Sequence, residues 1–288
     1  MMHLNRVTRY FDRITRPEQI IQSFPAAVQT MLDPADCGPA CISLCQDIQG
    51  QTFDYPEEFF KEKVHVIRRP RPDQFQTKEA ANKIKSSKKP IIISGGGVFY
   101  SDAMEELSKF AIKHNIPVTQ TVMGYSTMKK DHSHYAGQIG GLGGKNTNSL
   151  AKQTDLAIAV GTKLADFTTG SWANFENENF KLVSVNVSRF DANKHLAQAV
   201  VGDAKVSLEE LSLALGDWKA EDDWNKKSQS ELKVWNDHVD KESAPSNQEI
   251  PSYLQVIGSV YRNSDPSDIA VTAAGGLVGE VVQVWRPR

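Results

Sequence analysis

The stretch KKPIIISGGGVFYSDAMEEL, residues 88–107, decides the architecture. A short apolar run at 90–93 meets Ser94 and then Gly95, Gly96 and Gly97, and an amphipathic segment follows. A short apolar run bounded by turn residues reads as a buried strand. A strand, a glycine turn and a helix in that order are the unit from which parallel sheets are built. The same order can cradle a phosphate, because a helix start leaves backbone amides free. The local residues leave both uses open: an anion loop, or glycines that let the strand turn sharply.

Working outward, the rhythm recurs. KEAANKIKSS (78–87) reads as helix, PIIIS (90–94) as strand, SDAMEELSKFAIKHN (101–115) as helix and IPVTQT (116–121) as strand. The glycine-rich loop GQIGGLGGKNTNS (137–149) leads through a helix at LAKQ (150–153) to the strand DLAIAVG (155–161). KLVSVNVS (181–188) is one more strand and VSLEELSLAL (206–215) a closing helix. Strands separated by helices imply βαβ units, so residues 78–215 are expected to form an α/β domain, a Rossmann-like parallel six-stranded sheet with helices on both faces.

Flanking this centre, PEQIIQSFPAAVQTML (17–32) reads as a helix interrupted or kinked near Pro25, and ACISL (40–44) as a buried strand. Pro56, Pro70 and Pro72 mark residues 51–77 as an extended linker, in which the basic run Arg68, Arg69, Pro70, Arg71 stays solvated. Residues 216–250 are polar, contain Trp218, Trp224 and Trp235, and read as a helical linker. PSYLQVIGSVYRN (251–263) is helical, and SDIAVTAAGGLVGEVVQVW (267–285) repeats the strand, glycine turn and helix theme. Residues 1–50 and 251–288 therefore read as parts of two further α/β domains, with apolar surface expected at Ile42, Leu44, Val281 and Val284.

Composition excludes several function classes. A net charge of -2, with 40% hydrophobic and 24% charged residues, gives no reason to expect nucleic acid or a membrane surface as partner. No apolar run approaches a membrane span and the N-terminus has no signal-peptide core, so a cytoplasmic location is expected. Cys37, Cys41 and Cys45 lie in C-x3-C-x3-C spacing, which matches no standard zinc pattern, and read as reduced structural thiols. The dinucleotide fingerprint G-x-G-x-x-G fails, because Tyr100 stands at the third glycine and the next strand ends Gln120-Thr121 with no acid for a ribose. His132 and His134 beside Asp131 have no third ligand at sensible spacing and read as loop histidines. Asp166, Asp191 and Asp203 read as helix caps, and G-x-S-x-G is absent.

Several segments, in order and at matching spacing, resemble a known family. They are GPACISLCQDIQ (38–49), KKPIIISGGGVFYSDA (88–103), IPVTQTVMGYSTMKKDHSHYAGQIGGLGG (116–144), TDLAIAVGTKLADFTTG (154–170) and VVGDAKVSLEEL (200–211). Together they are similar to thiamine-diphosphate enzymes of the acetolactate synthase type, although Cys45 replaces the usual proline of the first motif. YFDRITRPEQI (10–20), TGSWANFENENFKLVSVNVSRFDANKH (169–195) and TAAGGLVGEVVQVWRP (272–287) resemble, within that superfamily, the trihydroxycyclohexane-1,2-dione hydrolases of myo-inositol catabolism.

The resemblance implies thiamine diphosphate and Mg2+ as cofactors and a small cyclic diketone as substrate. The cofactor's ylide would attack a carbonyl, with water completing C–C cleavage. It implies that 1–50 ends a pyrimidine-binding domain, 78–215 is the central domain and 251–288 starts a diphosphate-binding domain. By position Ala274, Gly275, Gly276 and Leu277 match the diphosphate loop, while Gly95, Gly96 and Gly97 line a vestigial nucleotide crevice. The family's activating glutamate and its G-D-G metal motif find no counterpart in these residues. The chain is therefore expected to be an internal fragment, inactive alone, that works with a complementary fragment or as a homo-oligomer. A non-catalytic nucleotide-binding or assembly module, and a piece of an acetolactate synthase-like enzyme, are the alternatives.

Overall fold

A computed structural model describes residues 4–286. The chain divides into two compact units, Met1–Arg69 and Pro70–Arg288.

In the first unit, β1 (Tyr10–Ile14) leads through a turn at Pro17–Gln19 into α1 (Ile20–Leu32), and β2 (Ala40–Leu44) pairs with β1 in parallel, Tyr10 against Ala40 through Ile14 against Leu44. Pro25 does not interrupt α1. Only one intrahelical donor is lost there, in the second turn. The expected buried strand is half-buried: Ile42 is partly covered and Leu44 is 51% exposed, because a two-stranded sheet packed on one helix leaves much of itself open. Cys37 is exposed, while Cys41 and Cys45 are partly buried, and all are free thiols.

The second unit contains the expected sheet. It opens with α2 (Gln74–Lys85), whose N-cap Asp73 accepts from the amides of Phe75 and Gln76. Then follow β3 (Pro90–Ser94), the short α3 (Gly96–Tyr100), α4 (Met104–His114) and β4 (Val118–Gln120). Next come β5 (Tyr135–Gln138), α5 (Lys145–Gln153), β6 (Leu156–Val160) and the single-turn α6 (Asp166–Thr169). β7 (Lys181–Asn186), α7 (Arg189–Ala192), β8 (Gln198–Val201) and α8 (Ala204–Leu215) complete the alternation. All pairings are parallel, in the order β5-β4-β3-β6-β7-β8.

Period-two alternation along the central strands separates the two faces. Ile92, Leu156, Ile158 and Val160 join Ile84, Leu107, Phe110, Leu208 and Leu211 from α2, α4 and α8. Ile91, Ile93, Ala157 and Ala159 join Leu150 of α5 and Trp224 on the other face. Each fully buried isoleucine contributes about 1.5–3 kcal/mol of transfer free energy.

Beyond α8, the region read as a linker forms α9 (Asp222–Glu242), and it packs. Leu232 is buried, and the Trp224 indole donates to the Pro90 carbonyl at 2.8 Å. α10 (Tyr253–Asn263) starts from a capping box at Ser252 and Gln255, and α11 (Leu277–Val284) follows. Val284, expected on the surface, is 4% exposed because it closes a small cluster with Val239 and Ile257, and Val281 is half-buried against the same cluster. The strand expected before residue 275 is not formed: Ile269 and Val271 are about nine-tenths exposed, and no described strand pairs with them. An apolar run becomes a strand only where a partner satisfies its backbone.

The end of α11 is fixed by side chains from the β4–β5 connection. Lys130 Nζ donates to the carbonyls of Val282 (3.1 Å) and Trp285 (2.7 Å), and the Tyr125 hydroxyl donates to Trp285 O at 2.7 Å. A cation capping the last carbonyls of a helix is the favourable polarity. Burial, and Arg286 beside it, nevertheless hold the Lys130 ammonium down to about 7. Burial likewise pushes the Tyr125 phenol up to about 12.

Two outcomes are expected. An added Cβ on Gly97 would lie 2.6 Å from Gly161 Cα, whereas one on Gly276 meets nothing within 4 Å. Gly97→Ala is therefore expected to lower the unfolding free energy by about 1–3 kcal/mol, and Gly276→Ala to change it by less than about 0.5 kcal/mol in the same urea titration. The second concerns Lys130, whose unfolded pKa lies near about 10.4. Between the folded value of about 7 and that point the unfolded chain binds the extra proton, so this group makes stability rise with pH. The stability of the wild type relative to Lys130→Met should thus increase from about pH 7 to about pH 10; a flat or falling difference would contradict it.

Candidate functional site at the carboxyl edge of the central sheet

Open parallel sheets bind ligands outside the carboxyl ends of their strands, where the strand order reverses. Here that point lies between β3 and β6. The glycine turn after β3 meets Gly161, which follows β6, backbone to backbone. Gly95 N donates to Val160 O, Gly97 N donates to Gly161 O, both at 2.9 Å, and Val98 N donates to Gly95 O at 3.1 Å. A Cβ on Gly95 would lie 2.4 Å from Gly161 O, and Gly161 itself has φ +61. The amides of Gly95, Gly97 and Val98 are thus already used inside the protein, and α3 is a helix of only five residues. The turn's geometry is that of close packing.

Next to this turn, the last residues of β3, β4 and β5 form a buried polar row. Ser94 pairs in register with Gln120, and Gln120 with Gln138. Their exposures are 0%, 1% and 6%. The connection after β4 covers the row. Ser94 Oγ shares a hydrogen bond with Thr127 Oγ1, and Gln120 Nε2 donates to Met128 O at 2.9 Å and to Thr127 Oγ1 at 3.3 Å. Lys130 extends across the Tyr125 ring, its Nζ 4.9 Å from the centroid. A cavity of about 490 Å³ opens here, lined by Gln120, Tyr125, Met128, Lys130 and Arg286 among others. Lys129 and Asp131 line it too, so the carboxyl edge presents polar groups and charges of both signs, an arrangement suited to a polar small molecule.

The sequence reading placed no functional residue in this row. In the sequence Gln120 stands only where a ribose-binding acid is lacking, and Gln138 lies in the glycine-rich stretch 137–149 that reads as a loop. A signal did exist, since each polar residue directly follows strand residues and precedes a turn.

The other candidate residues go elsewhere. His132 shares a hydrogen bond with Ser108 Oγ at 2.9 Å and His134 with Asn115 Oδ1 at 3.1 Å. Burial pushes both imidazoles down, which favours the neutral form. Asp203 caps α8 by accepting from Lys205 and Val206, and Asp191 pairs with Lys194 at 2.5 Å. Among the described residues no group of three His, Cys, Asp or Glu side chains is placed to hold a metal ion. Ala274, Gly275, Gly276 and Leu277 form an exposed turn entering α11, with Gly275 at φ +150. α3 packs on the 122–124 turn, α4 and α8, whereas α11 packs on α9 and α10, so the two glycine turns have different surroundings. Residues 273–277 can offer backbone amides to an anion but contain no carboxylate. By themselves they do not fit a magnesium–diphosphate group, whose metal requires oxygen ligands in near-octahedral array.

Comparison with known proteins fits the fold. Residues 77–211 match the family model for the thiamine pyrophosphate enzyme central domain. Over 302 residues the chain is 37% identical to the 3D-(3,5/4)-trihydroxycyclohexane-1,2-dione hydrolase of Clostridium perfringens, covering 97% of this chain and 47% of that protein. The protein of the same name from Geobacillus thermodenitrificans is 37% identical over 300 residues, with the same coverages. That from a Clostridium botulinum strain is 46% identical over 205 residues, 71% of this chain and 32% of the relative. The chain spans about half the length of the curated relatives it matches. Among the described residues no helix is long and apolar enough to cross a membrane. With its parallel six-stranded sheet and helices on both faces, the segment 77–211 belongs to the thiamine pyrophosphate enzyme central-domain family.

Proposed function

We propose that this chain provides the central domain and flanking segments of a thiamine-diphosphate- and Mg2+-dependent hydrolase. That enzyme would open the ring of 3D-(3,5/4)-trihydroxycyclohexane-1,2-dione by C–C cleavage, in the cytoplasm, within myo-inositol catabolism. The observation that carries this reading is colinear similarity along 97% of the chain to proteins of that name, on both sides of the central domain as well as within it.

In this reading the domain boundaries are those of the family: the end of a pyrimidine-binding domain through about residue 50, a connection to 77, the central domain at 78–215, helical residues 216–250, and the start of a diphosphate-binding domain from 251. Gly95, Gly96 and Gly97 act as a packing turn in what was once a nucleotide crevice, a role supported by the amides of Gly95 and Gly97, which donate to Val160 O and Gly161 O. Ala274, Gly275, Gly276 and Leu277 would present amides to a diphosphate oxygen. Carboxylates for Mg2+ and for proton transfer come from outside these residues, through a longer chain, a complementary fragment or a homo-oligomer.

A graft tests this directly. Residues 77–211 of this chain would replace the matching segment of the Clostridium perfringens relative. The chimera is expected to open the diketone within about tenfold of the parent's kcat/KM, a change of about 1.4 kcal/mol in barrier. The 288-residue chain alone is expected to show no turnover. A folded chimera with no ring opening would contradict the proposal.

A further inference from the structure

Independently of the hydrolase reading, we propose that the small cavity between β5, the start of α5, α9 and α11 is a binding site for a hydroxycarboxylate anion. The cavity has a volume of about 70 Å³, and its polar lining includes Lys130, Gln138, Asn146, Trp235, Gln283 and Arg286. Among the described residues no carboxylate lines it.

Gln138 is 94% buried by its 6% exposure, yet among the described residues neither its Oε1 nor its Nε2 has a hydrogen-bond partner. Its neighbour in the polar row, Gln120, is bound to Thr127 and Met128 O, so being unpartnered is not a general feature of that row. Asn146 repeats the pattern. Its Nδ2 donates to Ala136 O at 3.0 Å, while its Oδ1 is buried and unpartnered. Buried amide groups are almost always satisfied, and each exception calls for a ligand, a water or another physical cause.

The free groups specify the ligand's chemistry. Gln138 Oε1 and Asn146 Oδ1 are acceptors and need donors; Gln138 Nε2 is a donor. A hydroxyl both donates and accepts, so it suits Gln138, whereas a bare carboxylate leaves both acceptors unanswered. Arg286 supplies positive charge to the same cavity, and Lys130, which already donates to Val282 O and Trp285 O, adds to it when protonated, which suits a carboxylate at the ligand's other end. Arg286 also pairs with Asp240 at 2.9 Å, which leaves its charge partly balanced. With about 30 Å³ per water in the liquid, a space of about 70 Å³ takes a molecule of a few heavy atoms. Longer hydroxy acids have room beyond it, because Lys130 and Arg286 also line the adjoining cavity of about 490 Å³.

Calorimetric titration of the chain with glycolate, acetate and inorganic phosphate tests this. Glycolate is expected to bind saturably and at least about tenfold more tightly than acetate, which lacks the hydroxyl. Gln138→Leu, checked for folding by circular dichroism, should weaken glycolate by about tenfold or more. Should that variant not fold, the wild type still decides: glycolate must shift the side-chain amide resonance of Gln138. Absence of saturable heat up to about 10 mM glycolate would overturn the assignment and leave the cavity to water. So would acetate or phosphate binding as tightly as glycolate, an unaffected Gln138→Leu variant, or an unmoved Gln138 resonance.

Discussion

The sheet depends on two backbones meeting with no side chain between them. Where β3 and β6 end, the turn at residues 95–97 and Gly161 approach so closely that a Cβ on Gly95, Gly97 or Gly161 would fall within 2.6 Å of the opposite chain. That contact sets the spacing at the point from which strands run outward in both directions, β4 and β5 on one side and β7 and β8 on the other. It also uses the amides of Gly95 and Gly97, and Val98 N donates to Gly95 O. One feature of the sequence, a run of glycines after a buried strand, thus serves the packing of β3 against β6.

The polar row lies to one side of this contact. The carboxyl edge of β3, β4 and β5 carries Ser94, Gln120 and Gln138, a buried row covered by the connection that brings in Thr127, Tyr125 and Lys130. The layer above that connection is α9 to α11, tied down by the Trp224 hydrogen bond, the Val239–Ile257–Val284 cluster and the Lys130 cap. The same lysine that holds the end of α11 therefore faces the cavities of the sheet edge. Packing of the last helix and the electrostatics of the edge are linked through one buried ammonium.

The alternation of PIIIS and DLAIAVG with amphipathic segments made the parallel sheet legible, because buried strands and helices of this length leave clear patterns. β5 and β8 were less visible. YAGQ has a glycine at φ +110 and only four residues, and QAVV follows directly on a turn, so neither produces a run long enough to stand out. At Ile269 and Val271 the opposite holds: the apolar pattern is present, but among the described residues no strand lies alongside to complete it. The burial of Val284 depended on Val239 and Ile257, distant in sequence, which periodicity within one segment cannot reveal. At the edge, Gln120 and Gln138 are ordinary residues in isolation. Only strand register places them side by side.

Titration of the chain with FAD, followed by calorimetry and by amide chemical shifts of Gly95, Gly96, Gly97 and Gly161, tests most directly whether packing has replaced binding at the β3–β6 crevice. The backbone contact predicts no saturable heat and no shift at these four glycines. Saturable binding at micromolar FAD that moves their amides would show that the crevice opens to a nucleotide, and would contradict the account.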